Sequence, residues 1–211
     1  MKIIEPRVEL MRDFDGAEVM KFLERCGRTA YKSENNITDD SAEKFIRNLI
    51  KRGHESVLEH FSCTFKIICD RGVSHELVRH RLASFTQEST RYCNYASDKF
   101  GGELTFIKPC FWKEKENVVF PKIDRWKAAM QFCEQEYKCF LNKGATLEQA
   151  RIILPNSLKT EIVMTANLRE WRTILKLRTA KDAHPQMRQI ALMILEILKQ
   201  KLPVVFEDIG E

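Results

Sequence analysis

Residues 79–92, Arg79-His80-Arg81-Leu82-Ala83-Ser84-Phe85-Thr86-Gln87-Glu88-Ser89-Thr90-Arg91-Tyr92, carry three guanidinium groups, one imidazole and several hydroxyls, and no lysine. Arginine presents a planar fork of donors that fits a phosphate at two points, which a lysine ammonium cannot do. The stretch therefore reads as an anion site. Ser84, Thr86, Ser89 and Thr90 can add hydroxyl and backbone N–H donors, with Arg91 as countercharge. Read as helix, neighbouring residues stand about 100° apart, so residues 79–81 would fan over roughly 200°. Such a fan suits either a basic solvent face or a large ligand with several phosphates, shared between subunits.

Ser89 lacks a Gly-x-Ser-x-Gly elbow and a nearby His-Asp pair, so it reads as a ligand contact and not as a nucleophile. Each other candidate has an ordinary alternative. Arg178 can be a cation at a helix C-terminus, Arg151 a surface arginine, His54 a loop residue and His184 the cap of the last helix. Glu55 and Glu59 are spaced for one helix face but precede a strand, which argues against a carboxylate pair.

The elements that must position these groups follow from apolar spacing. Helical periodicity covers residues 15–26, and again 41–52 with Gly53 as the stop. The period drops to two from Phe61 to Cys69, a half-buried strand. Val73, Leu77, Val78 and Leu82 predict a helix over 73–83, and residues 89–95 and 103–107 read as strands. Pro121 opens a long helix with Trp126, Ala129, Met130, Cys133, Tyr137 and Phe140 inward, followed by Gly144. A short helix over 147–154, a strand over 158–166 and helices over 168–177 and 185–202 complete the chain. Helix and strand mix without β-α-β alternation, so the class is α+β, and residues 1–211 read as one domain.

Composition bounds the partners. A net charge of +5 fits phosphorylated small molecules as well as nucleic acid. No apolar run is long enough for a membrane span and no signal core opens the chain, which leads to the expectation of a cytoplasmic protein without membrane partners. Seven cysteines without a C-x-x-C pair predict reduced thiols, neither a disulfide framework nor a metal site.

Arg79, His80, Arg81, Ser84, Ser89 and Arg91 together resemble the signature of the flavin-dependent thymidylate synthases, the ThyX family, with Thr86 where that family usually has Asn. The segments 53–60 (Gly-His-Glu-Ser-Val-Leu-Glu-His) and 150–155 (Ala-Arg-Ile-Ile-Leu-Pro) are similar to others of the family in order and spacing, as are 167–169 and 177–178. The resemblance runs from about residue 20 to about 202. It implies helices around a central, mainly antiparallel sheet. It also implies conversion of dUMP to dTMP with methylenetetrahydrofolate as carbon donor, FAD as hydride carrier and NADPH as reductant, in homotetramers with active sites at subunit interfaces.

Carried over by position, the resemblance places Ser56, Arg79, His80, Arg81, Gln87, Asn167, Arg169 and Thr173 at FAD. It places Glu76, Arg79, Gln87, Glu88, Ser89, Thr90, Arg91, Arg151 and Arg178 at the nucleotide. Arg178 would stabilise charge on the pyrimidine, and His54 would lie near flavin and folate. Two other classes compete. A nucleic-acid-binding module would use the same arginines, although the basic residues are local and the carboxylates evenly spread. A transferase would use Ser89 or Cys110 as nucleophile.

Overall fold

Two patterns of burial organise the chain, a computed structural model that describes residues 1–112 and 121–210. Its contacts cluster into two compact units, and the chain passes between them several times. One unit comprises 1–7, 67–79 and 86–162; the other comprises 8–66, 80–85 and 163–211. A four-stranded antiparallel sheet has the order β2 (Arg7–Leu10), β3 (Ser62–Asp70), β6 (Lys159–Asn167), β4 (Ala83–Gln87). The class is thus α+β, as the mixing of periods predicts.

In the first unit, β1 (Lys2–Ile4) pairs in parallel with β5 (Thr105–Ile107), Ile3 opposite Phe106. The long helix α4 (Lys122–Asn142) begins beside Pro121, whose fixed φ suits a helix start. It buries Ile123, Trp126, Met130 and Tyr137 on Leu104, Phe106 and Leu158. Ala129 and Phe140, expected inward, are exposed, and Glu134 is buried in their stead. The Glu134 carboxylate accepts from the Leu104 N–H at 3.0 Å and pairs with Lys138 at 3.1 Å, so its burial is compensated. The short helix α5 (Leu147–Ala150) opens on a Thr146–Gln149 capping box and tightens into a 3-10 turn over Arg151–Ile153.

The second unit is mainly helical. Helix α1 (Gly16–Arg28) is capped by Asp15, whose side chain accepts from the Ala17 N–H at 2.8 Å. It approaches α2 (Ser41–Lys51) at Gly27, where a Cβ would stand 2.6 Å from the Phe45 ring. After α2, Gly53 takes a left-handed φ of 72°, and a 3-10 turn runs over Glu55–His60. Helix α6 (Leu168–Arg178) buries Trp171 against Phe65, ring centroids 5.1 Å apart, and the indole N–H reaches the Cys63 carbonyl. Helices α7 (Pro185–Lys201) and α8 (Pro203–Phe206) close the unit. His184 occupies the N-cap of α7 as expected, but its backbone carbonyl, not its ring, receives the Arg188 N–H.

Two expectations fail around the arginine-rich stretch. The helix predicted over 73–83 is α3 (Arg71–Leu77), which starts earlier and ends six residues sooner. Val73 and Leu77 are buried as expected, whereas Val78 and Leu82 are exposed. Residues 83–87 extend because they pair as an edge strand, and their burial alternates with a period of two. The helical fan of residues 79–81 therefore does not exist; they form a turn and a linker. Residues 89–95 are likewise no strand, since the Tyr92 and Cys93 N–H groups fold back on the Ser89 carbonyl.

Candidate active site

In the first unit, a cleft of about 600 Å³ opens beside α3 and the 151–156 segment. Thr90 and Arg151, both expected at the nucleotide, line it together with Arg71, His75, Glu148 and Asn156. The Arg151 side chain has no hydrogen-bond or ion-pair partner among the described residues and is exposed. Arg91 stands 3.9 Å from Glu148, an exposed pair that costs little to exchange for a ligand. Ser89 is half-buried; its Oγ accepts from the Arg91 N–H at 3.3 Å, which shapes the turn.

Arg71 and His75 escaped the sequence reading. Their i,i+4 spacing at the start of α3 puts them on one helix face, and that was the available signal.

Gln87 and Glu88 have internal tasks. The Gln87 amide donates to Ser74 Oγ at 2.9 Å and Thr160 Oγ1 at 3.1 Å. The Glu88 carboxylate receives the Tyr95 hydroxyl and Lys159 Nζ, both at 2.9 Å, and the Glu161 N–H at 3.1 Å. Glu76 is half-buried on α3, and Arg79 is exposed in the turn that follows.

In the second unit, Arg178 ends α6 and donates its Nε–H to His80 Nε2 at 3.1 Å. Arginine has no acceptor, so this bond requires a lone pair on Nε2 and puts the imidazole proton on Nδ1. That nitrogen lies 3.9 Å from Glu170. Burial first, then the Arg178 charge, hold the His80 imidazole below its usual range, which favours the neutral form that the bond demands. Burial also pushes the Glu170 carboxyl above its usual range.

Asn167 caps α6, accepting from the Glu170 N–H at 2.8 Å. The Thr173 hydroxyl returns to the Arg169 carbonyl at 3.2 Å. His54, Ser56 and Arg81 are exposed.

Glu55 and Glu59 form no carboxylate pair. Each is the counter-ion of an arginine on α6, Glu59 of Arg169 and Glu55 of the buried Arg172. Arg172 escaped the sequence reading because nothing local distinguishes it from a surface cation. Cys110 is exposed, yet partial desolvation and the charges of Asp70 and Glu5 raise its thiol pKa, which disfavours the thiolate a nucleophile needs.

The fold has counterparts in known proteins. A family model described as thymidylate synthase complementing protein matches residues 13–204. A flavin-dependent thymidylate synthase from Pyrococcus furiosus is 36% identical over 176 residues, 83% of this chain and 70% of the relative. One from Corynebacterium aurimucosum is 31% identical over 210 residues, covering 93% and 82%. Among solved structures, the UMP/dUMP methylase PolB from Streptomyces cacaoi, bound with 5-Br dUMP, superposes with a TM-score of 0.78 at 25% identity, covering 98% of this chain and 96% of that one. The chain therefore belongs to the thymidylate synthase complementing protein family, that of the flavin-dependent thymidylate synthases.

Proposed function

We propose that the chain makes dTMP from dUMP, with methylenetetrahydrofolate as carbon donor, FAD as hydride carrier and NADPH as reductant. The observation that carries this reading is the cationic cleft lined by Arg151 and Thr90 in a chain that matches the family over residues 13–204. That match takes in residues of both units and supports one functional domain.

In this reading Arg91 and Arg151 bind the 5′-phosphate, with Ser89 and Thr90 as hydroxyl donors. Glu76 borders the same site. Gln87 and Glu88 hold the end of β4 in place through their internal bonds. Arg178 holds the N3/O2 edge of the uracil and stabilises charge as it develops there. Neutral His80 fixes the direction of that guanidinium by accepting its Nε–H.

The residues present fit FAD. Arg79 and Arg81 are exposed guanidiniums with no ion pair among the described residues, suited to a diphosphate. His54, Ser56, Asn167, Arg169 and Thr173 supply polar contacts around the flavin. When bound, reduced FAD supplies the hydride that makes uracil C5 nucleophilic. The chain's own task is to stack and orient the reactants.

Homotetrameric assembly with active sites at subunit interfaces completes the reading. Two bulky apolar residues flanking site arginines support it: Ile152 is 86% exposed and Leu82 is 75% exposed on the single chain. No described helix is long and apolar enough to cross a membrane, which accords with a cytoplasmic enzyme.

The test is direct. Purified protein, reconstituted with FAD if necessary, should be yellow, bleach on addition of NADPH without oxygen, and convert dUMP to dTMP when methylenetetrahydrofolate is added. Protein that stays colourless after incubation with FAD overturns the proposal.

A further inference from the structure

We propose that Arg172 is a positioning residue for the cofactor: it ties the turn bearing His54 and Ser56 to α6 and to the C-terminal segment 205–208. This rests on the flavoenzyme reading above and extends it to residues that reading leaves without a task.

Arg172 is 1% exposed. A guanidinium has five N–H donors, and here all five are engaged. Nε and Nη2 donate to Glu55 Oε1 at 3.2 and 3.1 Å. Nη1 and Nη2 donate to the two carboxylate oxygens of Asp208, each at 2.7 Å. The remaining Nη1 donor meets the Val205 carbonyl. Lys176, one turn further along α6, lies 3.8 Å from Glu55 and 3.7 Å from Asp208, so two cations face two anions. The Arg172 guanidinium is raised above its usual pKa because its bonds to Asp208 and Glu55 outweigh the desolvation that opposes them. The Asp208 carboxyl is held below its usual range, first by its bond to Arg172.

A buried ion pair is seldom a net source of stability over apolar packing, so its worth lies in fixing geometry. Glu55 is the residue between His54 and Ser56, both exposed and both expected at the flavin. Holding one oxygen of its carboxylate with two donors restrains the backbone that presents its two neighbours. The same helix carries Asn167 at its cap and Arg169 and Arg178 on its turns, so the clamp sets one group of cofactor residues against another. Arg169 with Glu59 makes a second tie between the same elements, more exposed and weaker.

The test uses the reconstituted holoenzyme and three variants: Glu55→Gln, Asp208→Asn and Arg172→Lys. FAD affinity is measured by titrating apoprotein, KM for dUMP at saturating FAD, and the thermal midpoint in parallel. Glu55→Gln and Arg172→Lys should weaken FAD binding about tenfold or more, a magnitude seen for residues that orient ligand-binding groups. KM for dUMP should stay essentially unchanged in either variant. Asp208→Asn, 45% exposed at its side chain, should give a smaller shift in the same direction and keeps the test open should the other two fold poorly. A lowered thermal midpoint with unchanged FAD affinity would reduce the cluster to a strut and overturn the proposal. Wild-type protein that takes up no FAD would instead overturn the flavoenzyme reading, and this inference with it.

Discussion

The arginines beside the cleft of the first unit and those on α6 of the second are held in opposite ways. Around the cleft of the first unit, Arg151 has no internal partner among the described residues, and Arg91 has an exposed carboxylate at 3.9 Å and the ring of its neighbour Tyr92 at 5.2 Å. Arg71 and His75 add two further basic side chains to the wall. In the second unit Arg172 has every donor engaged, Arg169 is paired with Glu59, and Arg178 is aimed by His80. Cations left unneutralised on a concave wall attract a ligand's charge, while cations neutralised inside the chain set distances and directions. Similar residues thus serve two purposes, and their partners tell which.

The sharpest way to break this contrast is Arg178→Ala. Loss of a group that stabilises developing charge typically costs about 10²–10³ in kcat. Tritium release from labelled dUMP should fall by that order while the yellow colour persists; unchanged turnover would take Arg178 out of its role.

Next in size are Arg151→Ala and Arg71→Met. Each removes a cation from the cleft, and a charge-assisted bond of about 1.5–3 kcal/mol corresponds to roughly ten- to hundredfold in dUMP affinity. The loss should appear in KM, with FAD affinity retained. An unchanged KM in both would show that the cleft is not the phosphate site.

The smallest effect is a pH slope. The native His80 imidazole lies below its ordinary value of 6.5, so below that pH the unfolded chain binds a proton that the native chain refuses. Stability should therefore decline as pH falls below 6.5, and the decline should weaken in His80→Gln. Urea unfolding at a series of pH values measures it; equal slopes in the two proteins would mean that His80 is not held neutral by Arg178 and burial.

Much of this was legible in the sequence wherever an apolar period persisted. Helices α1, α2, α6 and α7 and strands β3 and β6 lie within a few residues of their expected bounds, because their buried faces repeat over two or more turns or pleats. The signature stretch misled at 73–83. Leu82 continues the helical spacing by coincidence, and only pairing at a sheet edge makes 83–87 extended. Strands β1 and β2, of three and four residues, are too short to show a period. Thr90 and Arg91 are legible from residue types alone, as part of an anion site, and Arg151 through the resemblance. Arg172 was not, because its anchor Asp208 lies 36 residues away and only folding brings the two together.

Strand β4 has a consequence for how the signature can vary. Residues 83, 85 and 87 face one way, and Ser84 and Thr86 the other. An exchange at Thr86 alters an outward side chain, whereas adding or removing a single residue would flip every later one. Gln87 would leave Ser74 and Thr160, and the turn at Ser89 would start from the wrong side. Evolution is thus freer to respell this stretch than to change its length.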